Sequence, residues 1–205
     1  MKTVLCFGDS NTWGYSPENG QRLAFNARWP GILAQLLGDA FQIIEEGKPG
    51  RTSYLNATDF GLSSGITDLL DTVKKHQADY LVLMLGTNDL YPAFKLSAEQ
   101  VAANQGRMIK QLQAHCLSQH ITAPNLLMIA PPTINKTGDF ARYFSGADEK
   151  SKLLAEHYHV VAHSLGCDYL DAAKLVKVDP KDGVHLNSAQ HQILAKAVNA
   201  KLQAL

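Results

Sequence analysis

A chain of 205 residues with nineteen Lys and Arg against nineteen Asp and Glu has a formal net charge of +0. That balance argues against a binder of phosphate backbones, which would normally show a basic excess. With 45% hydrophobic and 19% charged residues, the composition is globular and the chain is long enough to bury a core without staples.

One domain over residues 1–205 is expected at this length. Three cysteines cannot complete a disulfide framework, so Cys6, Cys116 and Cys167 are expected as reduced, mostly buried thiols. The first residues show no signal-peptide pattern, and no apolar run approaches the roughly eighteen residues of a membrane span. The expectation is a cytoplasmic protein.

In chain order, residues 4–7 form an apolar run that stops at Gly8, and they read as a buried first strand. Asp9, Ser10 and Asn11 follow it. Residues 27–38 carry an apolar stripe of helical period closed by Gly38. Residues 41–46 predict a second strand, and a Gly/Pro-rich loop, 47–52, comes after it. A helix is expected over about 62–76. Residues 79–85 are almost continuously apolar, as in a parallel strand buried on both faces, and the run ends at Gly86-Thr87-Asn88-Asp89.

Ser97 and Gln100 have capping-box spacing at the start of a helix over about 97–117. Residues 125–130 predict a fourth strand, ended by Pro131-Pro132. Residues 132–147 read as a loop with exposed aromatics Phe140, Tyr143 and Phe144. A helix over about 148–165, a fifth strand over 167–171, a loop over 178–186 and a last helix capped by Asn187 or Ser188 complete the chain. This alternation predicts a three-layer α/β/α sandwich around a five-stranded parallel sheet.

Parallel strands send their carboxyl ends to one edge, where ligands bind. Ser10, Gly50, Asn88 and the loop carrying Asp182 and His185 therefore converge there. A serine hydroxyl is a weak nucleophile that needs a base. Histidine, with an ordinary pKa of about 6.5, is suited to that task. A carboxylate on its second nitrogen fixes the tautomer and stabilises the imidazolium. Asp182-x-x-His185 supplies both groups on one loop. Gly50 permits close approach of a backbone N–H, and Asn88 brings a side-chain amide. With the N–H of Ser10, these are candidate oxyanion donors.

A rival serine lies in Gly61-Leu62-Ser63-Ser64-Gly65, which fits a nucleophile-elbow pattern. That pattern needs a buried strand before it, and residues 56–60 are polar and turn-prone. Ser63 is read as part of a loop and helix N-cap. His157, His159 and His163 fit the polar face of a helix, and no metal is expected there. His76, His115 and His120 fit surface positions near helix ends, and His191 is read as solvated or packing. No Walker loop or Gly-x-Gly-x-x-Gly is present, so no nucleotide cofactor is implied.

Gly8-Asp9-Ser10-Asn11, Gly50, Gly86-Thr87-Asn88-Asp89 and Asp182-x-x-His185 together resemble the SGNH (GDSL-type) hydrolase family. The blocks appear in order over nearly the whole chain, with Asn11 where the family name has Leu. The stretches 5–14, Glu45-Glu46-Gly47-x-x-x-Arg51-Thr52 and 84–89 are similar to the arylesterase/acyltransferase branch. The resemblance implies a flavodoxin-like fold with strand order 2-1-3-4-5. It implies Ser10 as nucleophile, His185 as base and Asp182 as its orienter. The donors would be the Ser10 N–H, the Gly50 N–H and the Asn88 side chain. Gly50 is preferred to Gly47 because it immediately precedes Arg51-Thr52, as the donor does in that branch. Asp9 is expected to brace the turn.

The expected activity is cofactor-independent hydrolysis of small carboxylic esters, with short acyl groups such as acetyl or with aryl alcohols. Trp13, Tyr91, Phe94, Phe140 and Phe144 are candidate pocket walls. A thioesterase, a carbohydrate deacetylase and an acyltransferase are the alternatives within the family, and a non-catalytic binding module is the alternative outside it. No nucleic-acid or membrane partner is expected, and the sequence leaves open whether the chain forms a homo-oligomer.

Overall fold

The computed structural model describes residues 1–204. Five strands, β1 (Lys2–Gly8), β2 (Phe41–Gly47), β5 (Tyr80–Met84), β6 (Asn125–Ala130) and β7 (Asp168–Asp171), form one sheet. Its order is β2-β1-β5-β6-β7, and every pairing is parallel. Counted along the chain, that is the expected 2-1-3-4-5. Two short strands, β3 (Arg51–Thr52) and β4 (Ser63–Ser64), pair in parallel apart from the main sheet. The helices are α1 (Ser10–Trp13), α2 (Trp29–Leu37), α3 (Ile66–His76), α4 (Ala98–Ser118), α5 (Ala147–Ser164) and α6 (Ser188–Gln203).

The continuous apolar runs follow from burial on both faces of the sheet. Successive strand residues point to opposite sides. Leu5, Phe7, Leu81 and Leu83 enter one core with Leu69 of α3, Met108 and Leu112 of α4 and Tyr158 of α5. Val4, Cys6, Val82 and Met84 enter the other with Trp29 and Leu33 of α2 and Leu194 and Val198 of α6. Helices thus cover both faces, as parallel sheets require.

Local signals are realised where they are self-contained. Ser97 Oγ accepts from the Gln100 N–H at 3.1 Å, and Gln100 Oε1 accepts from the Ser97 N–H at 2.9 Å. Asn187, and not Ser188, is the cap of α6. The three cysteines are free, with Cys6 and Cys116 buried and Cys167 half-buried.

Three local readings need correction. Ser63 and Ser64 form β4, and α3 starts only at Ile66, with no side-chain cap. Pairing with Arg51 and Thr52 overrides the local turn character. Phe144 is buried in a one-turn 3-10 helix over Ala141–Phe144, while Phe140 and Tyr143 stay partly exposed. His157 is half-buried, so only His159 and His163 stand on an open polar face. Of the two readings of His191, packing holds, because the ring is fully buried. Its Nδ1 accepts from the backbone N–H of Trp29 at 3.3 Å, an otherwise orphan donor in the first turn of α2. Burial pushes its pKa down to about 3, with His185 adding to the effect. Among the described residues, no helix is long and apolar enough to cross a membrane.

Candidate active site

Strand β1 ends at Gly8, and the chain turns at once into the single turn of α1. Asp9 caps this turn, its Oδ1 accepting from the Asn11 N–H at 2.9 Å. Gly14 closes it in the left-handed region. Ser10 is thereby the first residue of a helical turn at the carboxyl edge of the sheet.

The second block comes from the last loop. Val184 N–H and His185 N–H both donate to Asp182 Oδ1 at 2.9 Å, and Asp182 Oδ2 lies 2.7 Å from His185 Nδ1. His185 Nε2 lies 2.9 Å from Ser10 Oγ. Burial alone would push the Asp182 carboxyl up. The hydrogen bonds and charge of His185, with the Val184 N–H, outweigh that and hold it below its ordinary value. An ionised Asp182 can only accept, so neutral His185 carries its proton on Nδ1 and leaves Nε2 to accept from the Ser10 hydroxyl.

Two further segments hold this loop in place. Asn11 Nδ2 donates to the Val184 carbonyl at 3.1 Å, and Asn11 Oδ1 accepts from the Leu186 N–H at 2.9 Å. From the other side, the N–H groups of Phe140 and Ala141 donate to the Asp182 carbonyl at 2.9 and 3.1 Å. The loop that precedes α5 is therefore a brace for Asp182 as well as a wall.

Gly50 has φ +73°, and a Cβ there would collide with the Gly61 carbonyl oxygen. Only glycine fits this left-handed position against its neighbour. Gly47, the other glycine considered, lies against the backbone of Thr12 and Trp13 and does not line the cavity described below. Asn88 Nδ2 donates to the Arg51 carbonyl at 2.9 Å. That bond uses one of its two protons and orients the other.

Behind this surface lies a buried polar layer. Arg51 donates to the Gly8 carbonyl at 2.9 Å, to the Glu46 carbonyl, and to Asp68 Oδ2 at 3.1 Å. It also stacks over Phe7, 4.0 Å from the ring centroid. Asp89 accepts from the Ser53 N–H and hydroxyl. The exits of β1, β2, β3 and β5 are thus tied together. Burial raises Asp9 to about 7, opposed by the Asn11 N–H. Burial likewise raises Asp89 to about 6, opposed by Ser53.

Ser10, Gly50, Asn88 and His185 all line one cavity of about 500 Å³. Its walls include Tyr15, Phe60, Tyr91, Phe140, Tyr143 and Phe144. Of the five aromatics expected there, Tyr91, Phe140 and Phe144 are in the wall, whereas Trp13 and Phe94 are not. Trp13 stands behind Tyr15, with centroids 6.3 Å apart, and Phe94 packs edge-on against Tyr91 at 5.4 Å.

Tyr15, Phe60 and Tyr143 were not singled out as wall residues. Tyr15 stacks on the imidazole of His185, with centroids 4.2 Å apart and planes inclined by 28°. Its place just beyond the Ser10 turn was a usable signal. Phe60 sits in a polar segment that gave none.

Ser63 does not line this cavity. Its N–H donates to the Gly50 carbonyl in the short strand pair. Among the described residues, no group of three or more His, Cys, Asp and Glu is placed to hold a metal ion.

A family model for the GDSL-like lipase/acylhydrolase family matches residues 6–193. Among solved structures, the chain is similar to the native aryl esterase of M. smegmatis. The two are 32% identical with TM-score 0.93, over 100% of both chains. It is also similar to a carbohydrate acetylesterase from Sinorhizobium meliloti, at 33% identity and TM-score 0.93 over 100% of this chain and 99% of that one. A carbohydrate acetylesterase family member from the same organism is 30% identical, with TM-score 0.88 over 100% and 98%. Comparison with curated proteins gives no match. With the family match spanning most of its length and the fold shared throughout, the chain belongs to the GDSL-like lipase/acylhydrolase family and is a hydrolase of carboxylic esters.

Proposed function

We propose that the protein is a serine esterase in which Ser10 is the nucleophile, His185 the general base and Asp182 the group that orients it. The observation that carries this reading is the unbroken chain Ser10 Oγ–His185 Nε2 at 2.9 Å and His185 Nδ1–Asp182 Oδ2 at 2.7 Å, open to the cavity. Ser10 Oγ attacks the ester carbonyl carbon while its proton passes to Nε2. Negative charge develops on the former carbonyl oxygen, where the N–H groups of Ser10 and Gly50 and the free proton of Asn88 Nδ2 receive it. The bond to the alcohol oxygen then breaks, and Nε2 returns the proton to the leaving alcohol. Water attacks the acyl-serine, losing its proton to His185, and the acid departs as Ser10 is restored.

A cavity of about 500 Å³ suits a small molecule, and its aromatic walls suit aryl esters and compact acyl groups. The likeness to a carbohydrate acetylesterase supports a second reading, acetyl esters of sugars, since flat rings also stack on sugar faces. A panel of p-nitrophenyl, phenyl and sugar acetates ranks the two. The central test is Ser10→Ala. Its kcat on p-nitrophenyl acetate is expected to fall by about a thousandfold or more. A rate equal to wild type refutes the proposal.

A further inference from the structure

The cavity is rich in aromatic rings, yet beyond His185 only one lining side chain is acidic or basic, Asp59. Asp59 is exposed on the one-turn 3-10 helix Thr58–Phe60, directly before Phe60. Among the described residues it takes part in no salt bridge. The Phe60 ring lies 4.6 Å from Tyr91 and 5.6 Å from Tyr143, centroid to centroid. A carboxylate therefore stands at the edge of a three-ring cluster, and no lysine or arginine lines the same space. Arg142 stacks on Tyr143 at 4.8 Å but lies outside the lining.

Ring faces are negative, so rings and a carboxylate together favour a cation. The effect is greatest for a quaternary ammonium, which binds few waters and presents methyl groups to the rings. We infer that the cavity selects esters bearing a quaternary or protonated amine, held by Asp59 with Phe60, Tyr91 and Tyr143, over neutral and anionic esters of the same shape. This rests on Ser10 being the nucleophile at the cavity floor.

The test compares kcat/KM at low ionic strength for choline acetate and for its carbon isostere, in which a tert-butyl group replaces trimethylammonium. A second pair places the same groups in the acyl part, and an isosteric sulfonate supplies the anion. The cationic member of at least one pair is expected to be faster by about fivefold, and the anion slowest. Added salt narrows the gap, which reads the charge without any variant. Asp59→Asn narrows the ratio to less than about twofold. Ratios near one in both pairs, or a ratio unmoved by both salt and Asp59→Asn, overturn the inference. Ser10→Ala separates the two levels. If it hydrolyses the neutral ester as fast as wild type, the nucleophile reading fails. If it is inactive while wild type shows no charge preference, only the substrate class fails.

Discussion

The side chain of Asn11 grips the backbone on both sides of His185, donating to the Val184 carbonyl at 3.1 Å and accepting from the Leu186 N–H at 2.9 Å. The residue after the proposed nucleophile thus sets the height of the proposed base. Removing it leaves a buried donor and a buried acceptor unpaired, which costs about 1–3 kcal/mol. Asn11→Leu, which installs the family's usual letter, fills space without restoring either bond. Both Asn11→Ala and Asn11→Leu are expected to lower Tm by several degrees. Both should reduce kcat at least about tenfold with a smaller change in KM. Thermal denaturation and steady-state kinetics on p-nitrophenyl acetate check this.

Tyr15 offers a second handle on the same imidazole. Its ring stacks on His185, and Phe140 meets His185 edge-on at 5.3 Å. Tyr15→Phe keeps the ring and is expected to retain activity within about twofold. Tyr15→Ala frees the imidazole and opens the cavity to water, and kcat should fall about tenfold or more. Equal kcat values for the Phe and Ala variants would show that stacking does not position the base.

At the proposed oxyanion donors the expected losses are larger. Asn88→Ala removes a donor and leaves the Arg51 carbonyl unpaired. Its kcat should drop by about two to three orders of magnitude, with a stability loss of about 1 kcal/mol. Gly50→Ala combines a disfavoured φ with a clash against Gly61. It should lose both activity and Tm, whereas Gly61→Ala, which meets nothing within 4 Å but shares a positive φ, should lose about 1 kcal/mol and far less activity. Unfolding midpoints and kcat for the pair separate the donor from the turn.

The buried acids dictate how stability varies with pH. Asp9 and Asp89 are raised by burial to about 7 and about 6 from the ordinary 3.8. The folded state therefore holds protons that the unfolded chain releases. Their contribution is full below about pH 4 and is lost as pH rises through about 6 to 7. Asp182 runs the other way. Its carboxyl is depressed, so its contribution is present above about pH 4 and is lost on acidification through the lowered value. Asp9→Asn is expected to flatten the decline between about pH 5 and pH 8 by an amount on the order of a few kcal/mol. Chemical denaturation across that range measures it, and an unchanged slope would rule out Asp9 as the titrating group.

Much of the architecture was legible because its causes are local or repeated. The strands announce themselves as continuous apolar runs, since residues such as Leu5 and Cys6 are both buried, on opposite faces. The capping box at Ser97 is closed within four residues. The turn reading of Ser63 and Ser64 fails because β4 exists only by pairing with Arg51 and Thr52, and nothing in a serine pair followed by Gly65 signals that partner. For His191 the chain leaves solvated and packing readings open, and packing holds because α2, distant in sequence, covers the ring. Residue type alone makes Trp13 and Phe94 candidate walls, whereas wall membership depends on which ring the turn at Gly14 and the packing at Tyr91 push forward.

Ser10, Gly50, Asn88, Asp182 and His185 are all legible as candidates in the chain itself, together with the parallel sheet that gathers them, while the order of its strands comes from the family resemblance. The reason is physical. Strand exits end in residues with special backbone or polar demands, and a parallel sheet leaves them only one edge to share. The tertiary structure alone decided how they meet. Asn11 spans to a loop more than 170 residues away, Tyr15 closes on His185, and Phe60 with Asp59 arrives beside Gly50 through a two-residue strand pair. Such contacts depend on the angle and height at which separate loops cross, which no local pattern encodes.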